Sequence, residues 1–154
     1  MAKASRRASR PPRKGGLRNT LFVVASAEAL PVALAGVADL VTVNLPWGSL
    51  LRGALALDDR AAAGVASLVA PGGAVEMLLA PAARDHLDGD VSVESRLGGS
   101  LEADWAALGL TLCEARPATQ ADLAAAQTTW ARRLGVAGGR VPDRVAWRLV
   151  LRRS

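Results

Sequence analysis

A tryptophan set just past the end of a strand can serve as a platform for a planar ligand, and this 154-residue chain places one there. The stretch is Val41-Thr-Val-Asn-Leu-Pro-Trp-Gly-Ser-Leu-Leu-Arg-Gly53. Its β-branched run, Leu40 to Val43, predicts a strand buried on both faces. Pro46 stops that strand because it has no N–H to give to a ladder, so the strand ends at Asn44. Gly48 and Ser49 supply turn and N-cap residues for a helix starting near Leu50. In an open α/β sheet, ligands bind in the crevice at the carboxyl ends of the strands, which is where Asn44, Pro46 and Trp47 fall. Trp130, on a later helix beside Arg132 and Arg133, is the second candidate platform. Trp105 and Trp147 occupy apolar positions of a helix and a strand and read as core.

The elements that must position these residues follow in chain order. Leu21 to Ser26 predicts a buried strand and Ala27 to Pro31 the loop leaving it. Asp39 to Leu45 is the next strand, and Asp58 and Asp59 stand at the positive end of a helix over residues 60–70 that Pro71-Gly72-Gly73 closes. Ala74 to Leu79 makes a third strand, so a βαβ unit with parallel pairing is expected. Residues 80–98 form a long linker holding Arg84, His86 and Arg96, the histidine reading as solvated. Ser100 caps a short helix over 101–108 that Gly109 stops. Leu110 to Arg116 is a fourth strand, with Cys113 as a small core residue. Thr119-Gln-Ala-Asp122 resembles a capping box opening a helix that runs to Leu134. From Arg144 to Arg153 apolar and polar residues alternate, the pattern of a strand with one wet face.

The composition bounds the function. One cysteine leaves no disulfide framework and points to a reducing, cytoplasmic setting; no apolar run reaches the roughly 18 residues of a membrane span, and no metal-ligand spacing occurs. Arg6-Arg7 followed by residues 21–27 mimics a secretory signal, but the apolar part falls short of the roughly 7 to 15 residues required. The net charge of +5 is divided: residues 1–18 hold seven basic and no acidic residues, and 132–154 hold seven basic and one acidic. Between them, residues 19–131 hold thirteen acidic and five basic. Two basic ends around an acidic middle fit a polyanion contacted from two sides, or equally a solvated surface with a basic tail. Residues 1–16 have no apolar periodicity and are expected to be a disordered basic tail, with one α/β domain over 17–154.

Several blocks carry a family resemblance. Gly15-Gly16-Leu17 with Asn19, Ala25-Ser-Ala-Glu28 with Leu30-Pro31, Leu45-Pro-Trp-Gly-Ser-Leu-Leu-Arg-Gly53, Pro71-Gly72 and Thr128-Thr-Trp-Ala-Arg-Arg-Leu134 stand in one order over almost the whole chain. In this the sequence resembles the aminoglycoside-resistance methyltransferases of the kanamycin–apramycin type. Those enzymes methylate N1 of a decoding-site adenine in 16S ribosomal RNA with S-adenosylmethionine. The resemblance implies that Ala27 and Glu28 line the adenosyl pocket, with Asn44 and Leu45 near the methionine part. It implies that Trp47 and Trp130 sandwich the flipped adenine and Thr128 helps to fix it. Arg133, Arg140 and, in the variable linker, Arg84 and Arg96 would contact RNA within the 30S subunit. Such chemistry needs no general base, because the N1 lone pair of neutral adenine is itself the nucleophile; alignment is the main task. A flipped base needs a stacking slot, and each aromatic contact supplies roughly 1 to 3 kcal/mol.

The sequence departs from the family in one respect. The family sheet begins with a strand carrying an acidic, glycine-rich loop, then a second strand ending in an acid for the ribose hydroxyls, and neither stands here. Gly15 and Gly16 precede a strand and open no helix, so they are no substitute. The resemblance therefore implies an N-terminally truncated relative: an incomplete class I, Rossmann-like sheet lacking its first two strands, with an antiparallel last strand. Such a chain is expected to bind cofactor poorly and to leave two strand edges open, either because translation starts further upstream or because the protein is a shortened relative. The alternative function is a noncatalytic rRNA-binding remnant. A dinucleotide oxidoreductase is the weaker third reading, since its glycine fingerprint is equally absent.

Overall fold

A computed structural model describes residues 6, 8–17, 19–82, 85, 87, 91–126, 128, 140–141 and 144–154. Strand β1 (Ala38–Asn44) is followed by helices α1 (Gly48–Ala54) and α2 (Asp59–Leu68) and by β2 (Val69–Leu79). Helices α3 (Val93–Leu97) and α4 (Leu101–Ala107) lead to β3 (Leu110–Pro117) and α5 (Gln120–Ala125). A two-residue ladder, β4 (Arg140–Val141) with β5 (Arg144–Val145), precedes β6 (Trp147–Arg153). The main sheet has the order β1-β2-β6-β3. β1 and β2 are parallel, while β6 is antiparallel to both of its neighbours, the α/β arrangement with an antiparallel last strand that the sequence predicts.

Local chemistry sets the βαβ unit. The Asp58 side chain accepts from the Ala61 N–H at 3.0 Å, and Asp59 adds an acid to the first turn of α2. Ala61, Ala62, Val65 and Ala66 form its buried face. The chain then enters β2 at Val69, five residues before the expected start, across an irregularity in the pairing with β1. Gly73 is needed at that point because the carbonyl oxygens of Ala38 and Ala70 lie 2.9 Å from where its Cβ would sit.

The two faces of the sheet differ. Val43, Val75, Met77, Leu79, Leu149 and Leu151 turn to one face and pack with Leu51, Leu55, Val65, Leu101 and the fully buried Trp105. Leu78, Ala80, Leu123 and Ala146 form a small cluster on the other, beside a group of charged side chains. No helix of the described residues is long and apolar enough to cross a membrane.

Several expectations are corrected. Residues 21–26 form no strand: no described strand lies beside them, and Leu21 is 80% and Val24 79% exposed. A ladder partner, not hydrophobicity, makes a strand. β1 is an edge strand, so only Val43 is buried and Leu40 stays exposed. β6 keeps its alternation, with Leu149 and Leu151 on the core face and Arg148 and the exposed Arg152 on the other, where only Val150 is buried. Cys113 is exposed beside the irregularity in the β3–β6 pairing. Trp147 packs on the core at its margin and its indole N–H donates to Glu94 at 3.1 Å. Within the expected linker, Ser92 and Ser95 form a capping box that opens α3. The predicted box Thr119–Asp122 opens α5, which ends at Ala125; most of the expected continuation to Leu134 lies outside the described residues, as does His86.

Candidate functional site

The site forms where β1 ends. The Leu45 N–H donates to the Leu78 carbonyl at 2.7 Å, which continues the parallel ladder one residue past the strand. Leu45 then takes a left-handed backbone, φ 51°, a conformation that costs a leucine roughly 1 kcal/mol or more and turns the chain out of the sheet. Pro46 follows, and Trp47 sits as the N-cap of α1 with its side chain in solvent, 81% exposed. Gly48 has φ 60°, which a glycine accepts without strain, so α1 starts two residues earlier than expected. A tryptophan with most of its surface in water contributes little to the core. Its rigid attachment between Pro46 and a helix makes it a surface ready to stack.

The turn Ala27–Ala29 lies against the same helices. Its residue Ala27 packs on α2 where Gly64 has no side chain: a Cβ there would fall 1.7 Å from the Ala27 carbonyl oxygen. Further on, the Gly36 N–H donates to the Ser67 carbonyl at 2.8 Å, anchoring the segment again one turn along α2. Glu28 reaches across to α1. The Ser49 hydroxyl donates to its carboxylate and, with its own backbone N–H, Ser26 and the charge of Arg60, holds it below the usual carboxylate range. Thus Ala27 and Glu28 are tied through Ser49 to the loop of Asn44, Leu45 and Trp47, although about twenty residues separate the two motifs.

The remaining candidates are placed as follows. Asn44 is exposed and, with Thr42, Glu76, Leu78, Asp122 and Arg148, lines a cleft of about 370 Å³. Thr128 is half-buried. Arg140 pairs through its backbone with Val145. Trp130, Arg133 and Arg84 lie outside the described residues. Arg96 is held inside the fold: its Nε donates to the Leu55 carbonyl at 2.8 Å, Nη1 to Ser100 Oγ at 3.0 Å, and Nη2 pairs with Asp104. The Ser100 hydroxyl and Arg96 together lower the Asp104 carboxyl.

Sequence reading missed the charged face of the sheet. Arg148 on β6 pairs with Glu114 at 2.6 Å, Glu76 at 3.3 Å and Asp122 at 3.5 Å. Arg116 on β3 bonds Asp122 at 2.6 and 3.1 Å and Glu114 at 2.7 Å. Arg116, then Thr119, drive the Asp122 carboxyl far below its ordinary value. The alternation of β6 was the available signal, since it put Arg148 opposite the apolar face. Among the described residues no group of three or more His, Cys, Asp or Glu could hold a metal ion.

Comparison with known proteins bears on this geometry. A family model described as NpmA, 16S rRNA (adenine(1408)-N(1))-methyltransferase, matches residues 1–146. An rRNA methyltransferase of Saccharopolyspora hirsuta is 39% identical over 143 residues, covering 88% of this chain and 89% of that protein. A 16S rRNA (adenine(1408)-N(1))-methyltransferase of Streptoalloteichus hindustanus is 34% identical over 142 residues, 87% of this chain but 64% of its own length. Among solved structures, the 16S rRNA methyltransferase KamB superposes with a TM-score of 0.80 at 30% identity, covering all of this chain and 72% of that one. The W203A mutant of the Catenulisporales acidiphilia enzyme, solved with its cosubstrate SAM, gives 0.79 at 29% identity, covering 99% of this chain and 70% of that one.

Proposed function

The chain belongs to the 16S rRNA (adenine(1408)-N(1))-methyltransferase family, and from that premise we propose that it binds S-adenosylmethionine and methylates N1 of a decoding-site adenine of 16S rRNA in the 30S subunit, conferring aminoglycoside resistance. The observation that carries this reading is Trp47: an exposed indole on a rigid turn at the carboxyl end of β1, joined through Ser49 to the Ala27–Glu28 turn.

The residues present fit the adenosyl end of the cofactor. Glu28 offers a carboxylate that stays ionised and accepts hydrogen bonds, and an adenine presents amino protons to such an acceptor. Asn44 and Leu45 lie toward the methionine part, where the left-handed backbone of Leu45 carries the chain away from the strand end. When bound, the sulfonium cofactor supplies an electrophilic methyl group. The protein's own part is alignment. Trp47 stacks on one face of the extruded base, Trp130 on the other, and Thr128 holds its edge. No side chain has to remove a proton from N1 beforehand. As charge grows on the adenine, the indole faces also stabilise it by cation–π attraction.

Arg133, Arg140 and Arg84, with the basic segment over 1–16, supply phosphate contacts to the RNA. Arg96, whose guanidinium is held between α1, α3 and α4, belongs to the scaffold. The outer edge of β1, which no strand among the described residues pairs, and the exposed Leu21 and Val24 support the second reading, an rRNA-binding remnant without methyl transfer.

One experiment separates them. Small subunits are incubated with the chain and S-adenosylmethionine and mapped by primer extension, while cofactor uptake is followed by calorimetry. A stop at a decoding-site adenine together with heat of binding supports the methyltransferase. Salt-sensitive RNA binding with neither signal supports the remnant.

A further inference from the structure

The turn that carries Ala27 and Glu28 comes directly after residues 21–26, which belong to no ladder, yet its own position is fixed. Two contacts from the helix layer fix it, and a third holds the chain further on, at Gly36. Gly64 leaves the space that the Ala27 carbonyl fills against α2. The Ser67 carbonyl takes the Gly36 N–H. The Ser49 hydroxyl on α1 holds the Glu28 carboxylate. A second tight contact keeps α1 and α2 in step, because a Cβ on Gly53 would lie 2.6 Å from that of Ala61. The helices bearing Ser49 and Gly64 are therefore packed closely against each other.

We propose that Gly64 and Ser49 are positioning residues of the cofactor turn: the missing side chain of Gly64 seats the turn on α2, and Ser49 latches Glu28 to the loop of Trp47. The proposal rests on the reading of Ala27 and Glu28 as cofactor-facing. On that reading the adenosyl edge of the site is built from α1 and α2 and needs no strand at 21–26. Gly64 has no left-handed backbone to protect, so in a mid-helix position alanine would be the better residue. Glycine is kept there by the carbonyl of Ala27.

The test follows the Glu28 carboxyl by NMR through an acid titration of the full chain. Arg60 is the other charged group acting on it and is left unchanged in every variant. In the unsubstituted chain Glu28 should titrate below the ordinary carboxylate range. Ser49→Ala should move its midpoint upward and Ser49→Thr should restore it; an unmoved midpoint in Ser49→Ala overturns the latch. Gly64→Ala should move it upward too, with Ser49 intact, and an unmoved midpoint overturns the seat. If Gly64→Ala does not fold, nuclear Overhauser contacts between the Gly64 α-protons and Ala27 in the unsubstituted chain read the seat directly, and their absence overturns it. Addition of S-adenosylmethionine should shift the Ala27 and Glu28 amide signals, at least ten-fold more weakly in Gly64→Ala at equal concentration. A shift of equal size in both chains overturns the positioning role. An unsubstituted chain that shows no shift while Glu28 responds to both substitutions overturns the function proposed above and supports the seat and latch.

Discussion

Residues 21–24 and the turn 27–29 are neighbours in sequence and opposite in fate. Leu-Phe-Val-Val is the more apolar of the two and has the stronger strand character, yet Leu21 and Val24 stand in solvent and none of the four is buried. Ala-Glu-Ala is short and contains a charge, yet it is held at two points, Ala27 on α2 and Glu28 on α1. The difference lies in partners. A strand needs a ladder beside it to satisfy its backbone groups, and the described residues supply none at 21–26. The turn needs only a helix surface with a gap, and Gly64 makes one. Order in this protein is granted by what a segment meets rather than by how hydrophobic it is.

The contrast can be broken first at its foundation. Leu149, fully buried in β6, anchors the apolar face on which α1 and α2 rest. Leu149→Ala should cost about 2–5 kcal/mol and release the turn along with the core, as read by urea unfolding. Val24→Ala, the matching deletion in the exposed segment, should change stability by about 0.5 kcal/mol or less in the same measurement. Equal effects would mean that residues 21–24 are packed in solution.

Next comes the platform itself. Trp47→Ala should leave stability almost unchanged, since the ring is in water, but lower the methyl-transfer rate on small subunits by roughly 5- to 150-fold, the equivalent of about 1 to 3 kcal/mol of stacking. Phe at this position should retain more turnover than Leu. If the two are equal, aromatic-face stabilisation is not part of the mechanism.

The charged face gives a smaller, pH-dependent effect. Asp122 has a folded-state pKa depressed by Arg116 and Thr119, and Glu114 one depressed by Arg148. A depressed carboxylate contributes stability that is fully present above its unfolded pKa, near 4, and is lost as the pH falls through the folded value. The urea midpoint should therefore hold from pH 7 to about 5 and then decline toward pH 2. Asp122→Asn should flatten that decline; an unchanged slope would show that the Arg116 pairing does not persist in solution.

The smallest effect concerns the exposed segment alone. Val24→Thr keeps the shape of the side chain and reduces the apolar surface, so unfolding should not change while self-association at high concentration falls. Light scattering reads this directly.

Particular residues show what could be read in advance. The stop at Pro46, the acids opening α2, the Thr119–Asp122 box and the parallel β1–β2 pair follow from local chemistry, and the structure has them. Gly64 gave no readable signal, because a glycine in a helix looks like a weakness until the carbonyl opposite it is known. Arg96 stood in the linker as an RNA-contact candidate, and only the fold reveals the Leu55 and Ala56 carbonyls just past α1 that accept from it.

The sequence by itself determined which segments could be helix or strand, where β1 must end and which family the motifs resemble, because turn chemistry, capping and motif spacing act over a few residues. Only the tertiary structure decided which apolar run is buried, which arginine is occupied and how Glu28 meets Ser49. Those outcomes depend on contacts between residues far apart in the chain, and burial and pairing are properties of both partners at once.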